Sequence, residues 1–165
     1  MEIIKRFIDR NYTAENNRQI KALVLHHTAS VNVTNQQLYD LFNNPAHKAS
    51  THYGIDKNHE LSQFVRDHDI AWSIGNSRVS SIGNYNTISI EVTDADSNWN
   101  IDPKNINVLV EFLYNKAKEY NLLPLQLNKN IFGHRDLYPT ICPGDSLYNQ
   151  LPMIVDRVNN YKKKR

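Results

Sequence analysis

Two short histidine-containing segments and a single cysteine are the residues of this 165-residue chain best suited to chemistry. His134 lies in the segment Gly-His-Arg-Asp, and Cys142 follows it by eight residues, so a loop could bring both side chains onto one atom. Imidazole and thiolate are both good zinc ligands. From these residues alone, three interpretations of Cys142 stay open: a metal ligand, a nucleophile assisted by His134, or a small buried hydrophobic residue.

His26 and His27 end an apolar segment, residues 20–27, whose composition predicts a buried strand. Neighbouring side chains of a strand point to opposite faces of the sheet. One of these two histidines should therefore point to a surface where a site could form, and the other should pack in the interior or cap the strand end. The end of a buried strand also supplies the fixed backbone that a metal ligand needs. These residues alone do not decide which histidine faces a site, or whether either has a function.

Glu91 lies in a predicted strand, residues 87–92, whose alternation places Thr87, Ser89 and Glu91 on one polar face. It is either an ordinary solvent-facing carboxylate or a general base beside a metal-bound water. Two histidines and one cysteine would leave the fourth position of a tetrahedral zinc site open for water, as in catalytic zinc sites. The residues alone therefore indicate a zinc hydrolase, and they do not identify its substrate.

The segments around these residues predict the elements that must position them. Residues 103–120 are the clearest helix, because apolar residues recur on one face and because Asp102 and Pro103 suit its start. Further helices are predicted at 35–43 and 145–160, strands at 20–27, 52–57, 60–66, 87–92 and 130–133, and a loop at 73–85. This mixture indicates an α/β fold with a single mixed β-sheet flanked by helices, in one domain of residues 1–165.

Composition excludes several classes of protein. The 19 basic and 17 acidic residues give a net charge of +2, which is too small to demand a nucleic-acid partner. One cysteine excludes an internal disulfide framework, and no apolar run approaches the roughly 18 residues of a transmembrane helix. Residues 1–6 lack the continuous apolar core of a secretory signal peptide, so we expect either another route out of the cell or a trimmed chain.

Four segments of the chain, taken in order, form a specific pattern. They are Val-Leu-His-His-Thr-Ala at 24–29, Ser-Thr-His-Tyr-Gly-Ile-Asp at 50–56, Asn-Tyr-Asn-Thr-Ile-Ser-Ile-Glu at 84–91, and Gly-His-Arg-Asp at 133–136 with Cys-Pro-Gly at 142–144. Each segment is weak evidence alone, but together they span nearly the whole chain. In this pattern the chain resembles the zinc-dependent N-acetylmuramoyl-L-alanine amidases, which share a fold with phage T7 lysozyme and the peptidoglycan recognition proteins.

The resemblance implies a zinc ion (Zn2+) bound by His26, His134 and Cys142, with Glu91 as the general base. The implied reaction is hydrolysis of the amide between the lactyl group of N-acetylmuramic acid and the first L-alanine of the stem peptide, in bacterial peptidoglycan. The residues expected to bind substrate are Thr28, His52, Trp72 and Thr140.

Three positions depart from the family pattern. Some members have Tyr, Lys and His where this chain has Thr51, Thr140 and Ser73. Without the Tyr and Lys, Glu91 must carry more of the proton transfer, and zinc more of the negative charge on the substrate oxygen. Because Ser73 replaces the family's His, we expect the substrate contacts to differ from the family's more than the activity does. The groove for glycan and peptide would be lined by residues 45–53 and 73–85, with Trp72 and Tyr85 as candidate stacking surfaces.

Two alternatives remain open. A peptidoglycan-binding module of the same fold that has lost catalysis would typically lack the cysteine ligand, and Cys142 is present. A Cys–His peptidase would need Cys142 at a helix N-terminus, whereas Pro143-Gly144 favours a turn.

The overall prediction is a monomeric amidase domain of a phage or prophage endolysin, or of an autolysin. It would act on the bacterial cell wall, be released by lysis or through a holin, and neither bind nucleic acid nor insert into a membrane. The basic tail, residues 162–165, is expected to be a solvated helix end. Contact with anionic wall polymers and the start of a linker are the alternatives for this tail.

Overall fold

The computed structural model describes residues 1–162, so residues 163–165, which form most of the predicted basic helix end, lie outside the described residues. The strands are β1 (Ile4–Lys5), β2 (Tyr12–Thr13), β3 (Ala22–Val31), β4 (Tyr53–Ile55), β5 (Leu61–Gln63), β6 (Ile70–Ala71), β7 (Thr87–Asp94) and β8 (Ile131–Gly133). The helices are α1 (Asn35–Phe42), α2 (Pro103–Glu119), α3 (His134–Leu137) and α4 (Asp145–Asn159), and a 3-10 turn, Asn84–Asn86, precedes β7.

Six strands form one sheet in the order β1-β5-β4-β7-β3-β8. β4 and β5 are antiparallel, and the other neighbours are parallel. The predicted α/β fold with a mixed sheet flanked by helices is therefore confirmed. β2 and β6 form a separate antiparallel pair that the sequence did not predict, because each has only two residues.

α2 begins where its sequence indicates. The Asp102 carboxylate accepts a hydrogen bond from the Lys104 N–H at 2.8 Å, and Pro103 occupies the first turn, where its missing N–H costs nothing. The apolar stripes of α2 and α4 pack together against one face of the sheet. The buried residues of this layer include Leu23, Leu25, Ile88, Ile90, Leu109, Leu113, Leu151 and Ile154.

The second face of the sheet carries the polar strand residues. α1 covers this face at β4, and it approaches so closely that a Cβ on Gly54 would lie 2.9 Å from the Asn35 side chain at the start of α1. β3 and β7 pair His26 with Glu91 in register, so both side chains lie on this face. A smaller apolar cluster lines the same face and contains Ala22, Val24, Ile74, Ile82, Phe132 and Leu137.

β3 continues past its predicted end at residue 27 as far as Val31, although the ladder is irregular there. Its register with β7 shifts between His27 and Val31, and Ala29 has a φ of 54°. The polar residues from Thr28 onward concealed this extension, because they match a turn as well as they match an irregular strand end. Among residues 1–162, no helix combines the length and the apolar content that crossing a membrane requires.

The core layer predicts a specific loss of stability. Leu109 on α2 is 0% exposed, so Leu109→Ala should lower the free energy of unfolding by about 2–5 kcal/mol through lost burial and a residual cavity. Leu41→Ala is the matched control, because Leu41 is 43% exposed and its loss should change stability by about 0.5 kcal/mol or less. Urea unfolding followed by circular dichroism measures both, and equal losses would contradict the assignment of this layer as the core.

Candidate metal centre

Three side chains with metal-binding atoms converge on the second face of the sheet. His26 comes from β3, His134 is the first residue of α3, and Cys142 lies between α3 and α4. One ligand atom from each lies within 4.8 Å of the other two. β8 pairs in parallel with β3, with Gly133 opposite Leu25, so the next residues of the two strands, His134 and His26, come together. Their ring centroids are 4.6 Å apart.

Hydrogen bonds orient the His134 ring. Its Nε2 lies 2.9 Å from the Ile74 carbonyl oxygen, which can only accept, so Nε2 carries the proton. The lone pair of Nδ1 is then free for a metal, in the arrangement that commonly fixes metal-binding histidines. No sequence signal pointed to Ile74, because the contact is made by a backbone carbonyl in the predicted loop 73–85.

The donor set fits zinc. The Nδ1 atom of His26 lies 3.7 Å from Cys142 Sγ, close to the roughly 3.6 Å expected between nitrogen and sulfur ligands on one tetrahedral zinc ion. The buried Nε2 of His26 has no hydrogen-bond partner among the described residues. The cluster offers two imidazoles and one thiol, and it contains no Lys or Arg side chain. These are the ligand types of a zinc site with three protein ligands and one open position.

Burial keeps these groups uncharged in the absence of a cation. It holds the pKa of His26 well below its usual value, and the neighbouring His134 and His27 lower it further. Burial also lowers the pKa of His134, and it raises the pKa of Cys142 to about 12. Neutral imidazole is already the form that binds metal, whereas the thiol must lose its proton when a cation binds.

Glu91 lies beside this cluster as the β7 neighbour of His26. Its Oε2 atom is buried and has no hydrogen-bond partner within residues 1–162. Burial raises the pKa of Glu91 to about 8, and the negative charge of Asp94 adds to this effect. A carboxyl group whose pKa lies near neutrality can both accept and return a proton, which is the requirement for general acid–base catalysis.

His27 has a different role from His26. It lies on the opposite face of β3, almost fully buried, with its Nδ1 3.0 Å from the Asp94 carboxylate. The Trp99 ring packs edge-on against it. Gly144 lies so close to the His27 ring that a Cβ at this position would be 3.1 Å from Nδ1. The structure therefore separates the adjacent histidines, which the residue pattern alone left unassigned.

Thr28 and Thr140, two of the residues expected to bind substrate, lie two positions from the candidate metal ligands His26 and Cys142. The Thr28 hydroxyl donates to the Ser30 carbonyl oxygen at 2.6 Å, so it supports the end of β3. The Thr140 hydroxyl oxygen accepts from the Cys142 N–H at 3.2 Å. Because an accepting hydroxyl keeps its own proton, Thr140 can still donate to a substrate atom.

His52 lies deeper than expected for a residue that touches substrate. It is 1% exposed, and its ring nitrogens lie 3.2 Å from Ser89 Oγ and 2.9 Å from the Asp69 carbonyl oxygen. The Arg18 guanidinium approaches the same ring at 2.9 Å. Burial, followed by the Arg18 charge, lowers the pKa of His52 to about 4. In this arrangement His52 contacts β7 two residues before Glu91, and it presents no open surface.

The two candidate stacking residues are both accessible. Trp72 is half-buried, and its indole N–H donates to the Thr13 hydroxyl at 2.8 Å. Tyr85 is exposed, with its hydroxyl 3.3 Å from the Ser80 carbonyl oxygen. Ser73, which occupies the position of a family histidine, donates its N–H to the Asn84 side chain.

A mixed sheet that brings two histidines, one cysteine and a buried carboxyl together is an arrangement suited to a hydrolase that uses a metal ion. The chain belongs to the N-acetylmuramoyl-L-alanine amidase family, whose model matches residues 16–145. The predicted enzyme class, an amidase that cleaves peptidoglycan, is therefore confirmed. A search among curated proteins gives no match.

Several solved structures have a similar fold. The structure of PlyL has a TM-score of 0.81 at 19% identity, over 99% of this chain and 100% of that chain. The catalytic domain of XlyA gives 0.76 at 20% identity, over 96% and 99%. The N-acetylmuramoyl-L-alanine amidase LysC from Clostridium intestinale gives 0.71 at 16% identity, over 96% and 98%.

The separation of His26 from His27 predicts which substitution removes the metal. His26→Ala should abolish stoichiometric zinc binding, because only two ligands remain. His27→Asn should retain about one zinc per chain, since the amide nitrogen can take the place of Nδ1 beside Asp94. Metal analysis after dialysis against trace zinc measures the zinc content of both variants. Loss of zinc from the His27 variant alone would show that His27, and not His26, is the ligand.

Proposed function

We propose that this amidase binds one zinc ion through His26, His134 and Cys142 and uses Glu91 to move protons during amide hydrolysis. The observation that supports the proposal most strongly is the convergence of three potential ligand atoms within 4.8 Å, next to the buried Glu91 Oε2, which has no hydrogen-bond partner in the part of the chain that the structure describes. The bond cleaved would be the amide between the lactyl group of N-acetylmuramic acid and L-alanine. Zinc bound there supplies a Lewis acid for the carbonyl oxygen and lowers the pKa of a water to about 7.

Glu91 would accept the proton of the attacking water and return it to the leaving nitrogen. The carbon–nitrogen bond breaks as a carbon–oxygen bond forms, which gives a lactyl carboxylate and the free amine of L-alanine. Without a cation Glu91 binds its proton near neutral pH, because burial raises its pKa to about 8. A positive charge beside it favours the ionised form, so the same carboxyl becomes a base in the loaded centre.

Thr140 is proposed to stabilise the substrate carbonyl. Its oxygen is occupied by the Cys142 N–H, which orients the hydroxyl while its proton stays available. Some family members have a Lys at the position of Thr140, and one neutral hydroxyl cannot replace its positive charge. The rest of the negative charge that develops on the substrate carbonyl oxygen must therefore be stabilised by other groups of the site.

The substrate groove is proposed to continue from the metal centre over loop 73–85. Thr28 and Trp72 would contact glycan or peptide, together with the exposed ring of Tyr85. His52 would contribute indirectly, because it holds Ser89 on the strand that carries Glu91. A monomeric state and the lack of a nucleic-acid partner stay predictions.

A cysteine peptidase is the less favoured alternative. Cys142 precedes the N-cap of α4, Gly144, by two residues, so it is not in the first turn of that helix, where a thiolate is commonly stabilised. Burial raises the pKa of its thiol to about 12, which is the opposite of an activated nucleophile.

Products of wall digestion test the bond that is cleaved. The zinc-loaded protein should release free L-alanine amino termini from purified peptidoglycan without creating new reducing ends. Dinitrophenyl labelling of the termini and a reducing-sugar assay measure the two products. New reducing ends would indicate a glycosidase, and new termini at another residue would indicate a peptidase.

Glu91→Gln tests the proton carrier separately from the metal. Glutamine keeps the size and the strand but cannot accept the proton, so amidase turnover should fall by about 10²–10⁴-fold. Zinc content and the thermal unfolding midpoint should stay close to wild type, because Glu91 is not a ligand. Glu111→Gln on α2 is the control and should leave turnover within a few fold. A Glu91 variant with zinc and near-full turnover would remove this residue from the mechanism.

A further inference from the structure

Cys142 is the ligand whose backbone is least supported by secondary structure. His26 lies in a strand and His134 begins a helix directly after a strand, but Cys142 lies in the segment between α3 and α4. A ligand in such a segment must be held by other contacts, because metal affinity depends on ligands that are already in place. Two contacts are local, from the Cys142 N–H to the Thr140 hydroxyl and from the Gly144 N–H to the Ile141 carbonyl, and Arg135 supplies contacts that tie the segment to α3 and α4.

Arg135 holds the segment on both sides of Cys142. Its backbone N–H donates to the Cys142 carbonyl oxygen at 2.9 Å. Its guanidinium donates through Nη2 to the Ile141 carbonyl oxygen and through Nη1 to the Asp145 carboxylate, the latter at 2.9 Å. One planar group thus bonds the residue before Cys142 and the first residue of α4.

The guanidinium is itself held in place by α4. It lies over the Tyr148 ring at 4.5 Å from the ring centroid. The Tyr148 hydroxyl donates to the Asp136 carboxylate at 2.6 Å, and the other Asp136 oxygen accepts the Gly133 N–H at 2.9 Å. These contacts connect the start of α3, which carries His134, with the segment that carries Cys142.

We infer that Arg135 is a positioning residue that fixes the separation of His134 and Cys142, and thereby sets the metal affinity of the centre. The role requires arginine, because two donors must point in different directions from one rigid plane, whereas the lysine ammonium is a point charge on a flexible stem. The inference rests on the proposed function, because it assumes that the cluster binds zinc.

Zinc affinity tests the inference without any assay of amidase activity. Metal-free wild type, Arg135→Gln and Arg135→Lys are each titrated with zinc in competition with a chromophoric chelator. Arg135→Gln should bind zinc about 10–100-fold more weakly, the usual effect of losing a group that orients a ligand. Arg135→Lys should recover part of that loss. Arg157→Gln is the matched control and should leave affinity unchanged, because the Arg157 guanidinium donates an exposed hydrogen bond to Asn107, away from the cluster.

Circular dichroism of the metal-free proteins separates positioning from general destabilisation. Arg135→Gln should keep the wild-type spectrum at the temperature of the zinc titration, so that its weaker binding reports the position of Cys142. Weaker binding that appears only together with loss of the folded spectrum would overturn the inference. So would an Arg135→Gln protein with wild-type affinity.

Thiol reactivity in the metal-free protein gives a second, independent readout. Cys142 in Arg135→Gln should react faster with Ellman's reagent than in wild type, at a temperature where both proteins are folded, because its segment is less restrained. Unchanged reactivity would contradict the inference. If wild type bound no zinc, the proposed function would fail, whereas the reactivity comparison would still test whether Arg135 restrains Cys142.

Discussion

The register between β3 and β7 is the constraint on which the site depends. It places His26 beside Glu91 and, in the same ladder, Leu25 beside Ile90. If β7 slipped by one residue against β3, the Glu91 side chain would point into the apolar layer under α2 and α4. The carboxyl would then lie on the opposite face of the sheet from His26. The buried side chains of β3 and β7 therefore do more than stabilise the sheet, because their packing selects the one register in which acid and ligand are neighbours.

Burial has opposite consequences for this centre with and without a cation. Without one, His26 and His134 stay neutral and Glu91 and Cys142 keep their protons, so the site avoids isolated buried charges. In the proposed loaded state, a doubly charged cation is balanced by one thiolate and one carboxylate. The low polarity that disfavours each charge alone strengthens the attraction between them once all are present.

Much of the fold could be predicted from sequence because it follows from regular apolar patterns. The strand at 87–92 and the helix at 103–120 agree with β7 and α2 to within two residues. α3 was missed because four residues are too few to show a helical period. The choice of His26 over His27 came from resemblance, since alternation alone is symmetric between them, and the supporting role of Ile74 is invisible to any pattern of side chains.

The pairing of β8 with β3 has a consequence for the order of events during synthesis. The two strands are separated by the 99 residues between Val31 and Ile131, and two of the three proposed ligands follow β8. A nascent chain that has emerged only as far as α2 holds His26 and Glu91 but cannot assemble the cluster. The candidate centre can therefore assemble only after residue 142 has left the ribosome, so in the proposed function a metal would be acquired after all six strands of the sheet have been synthesised.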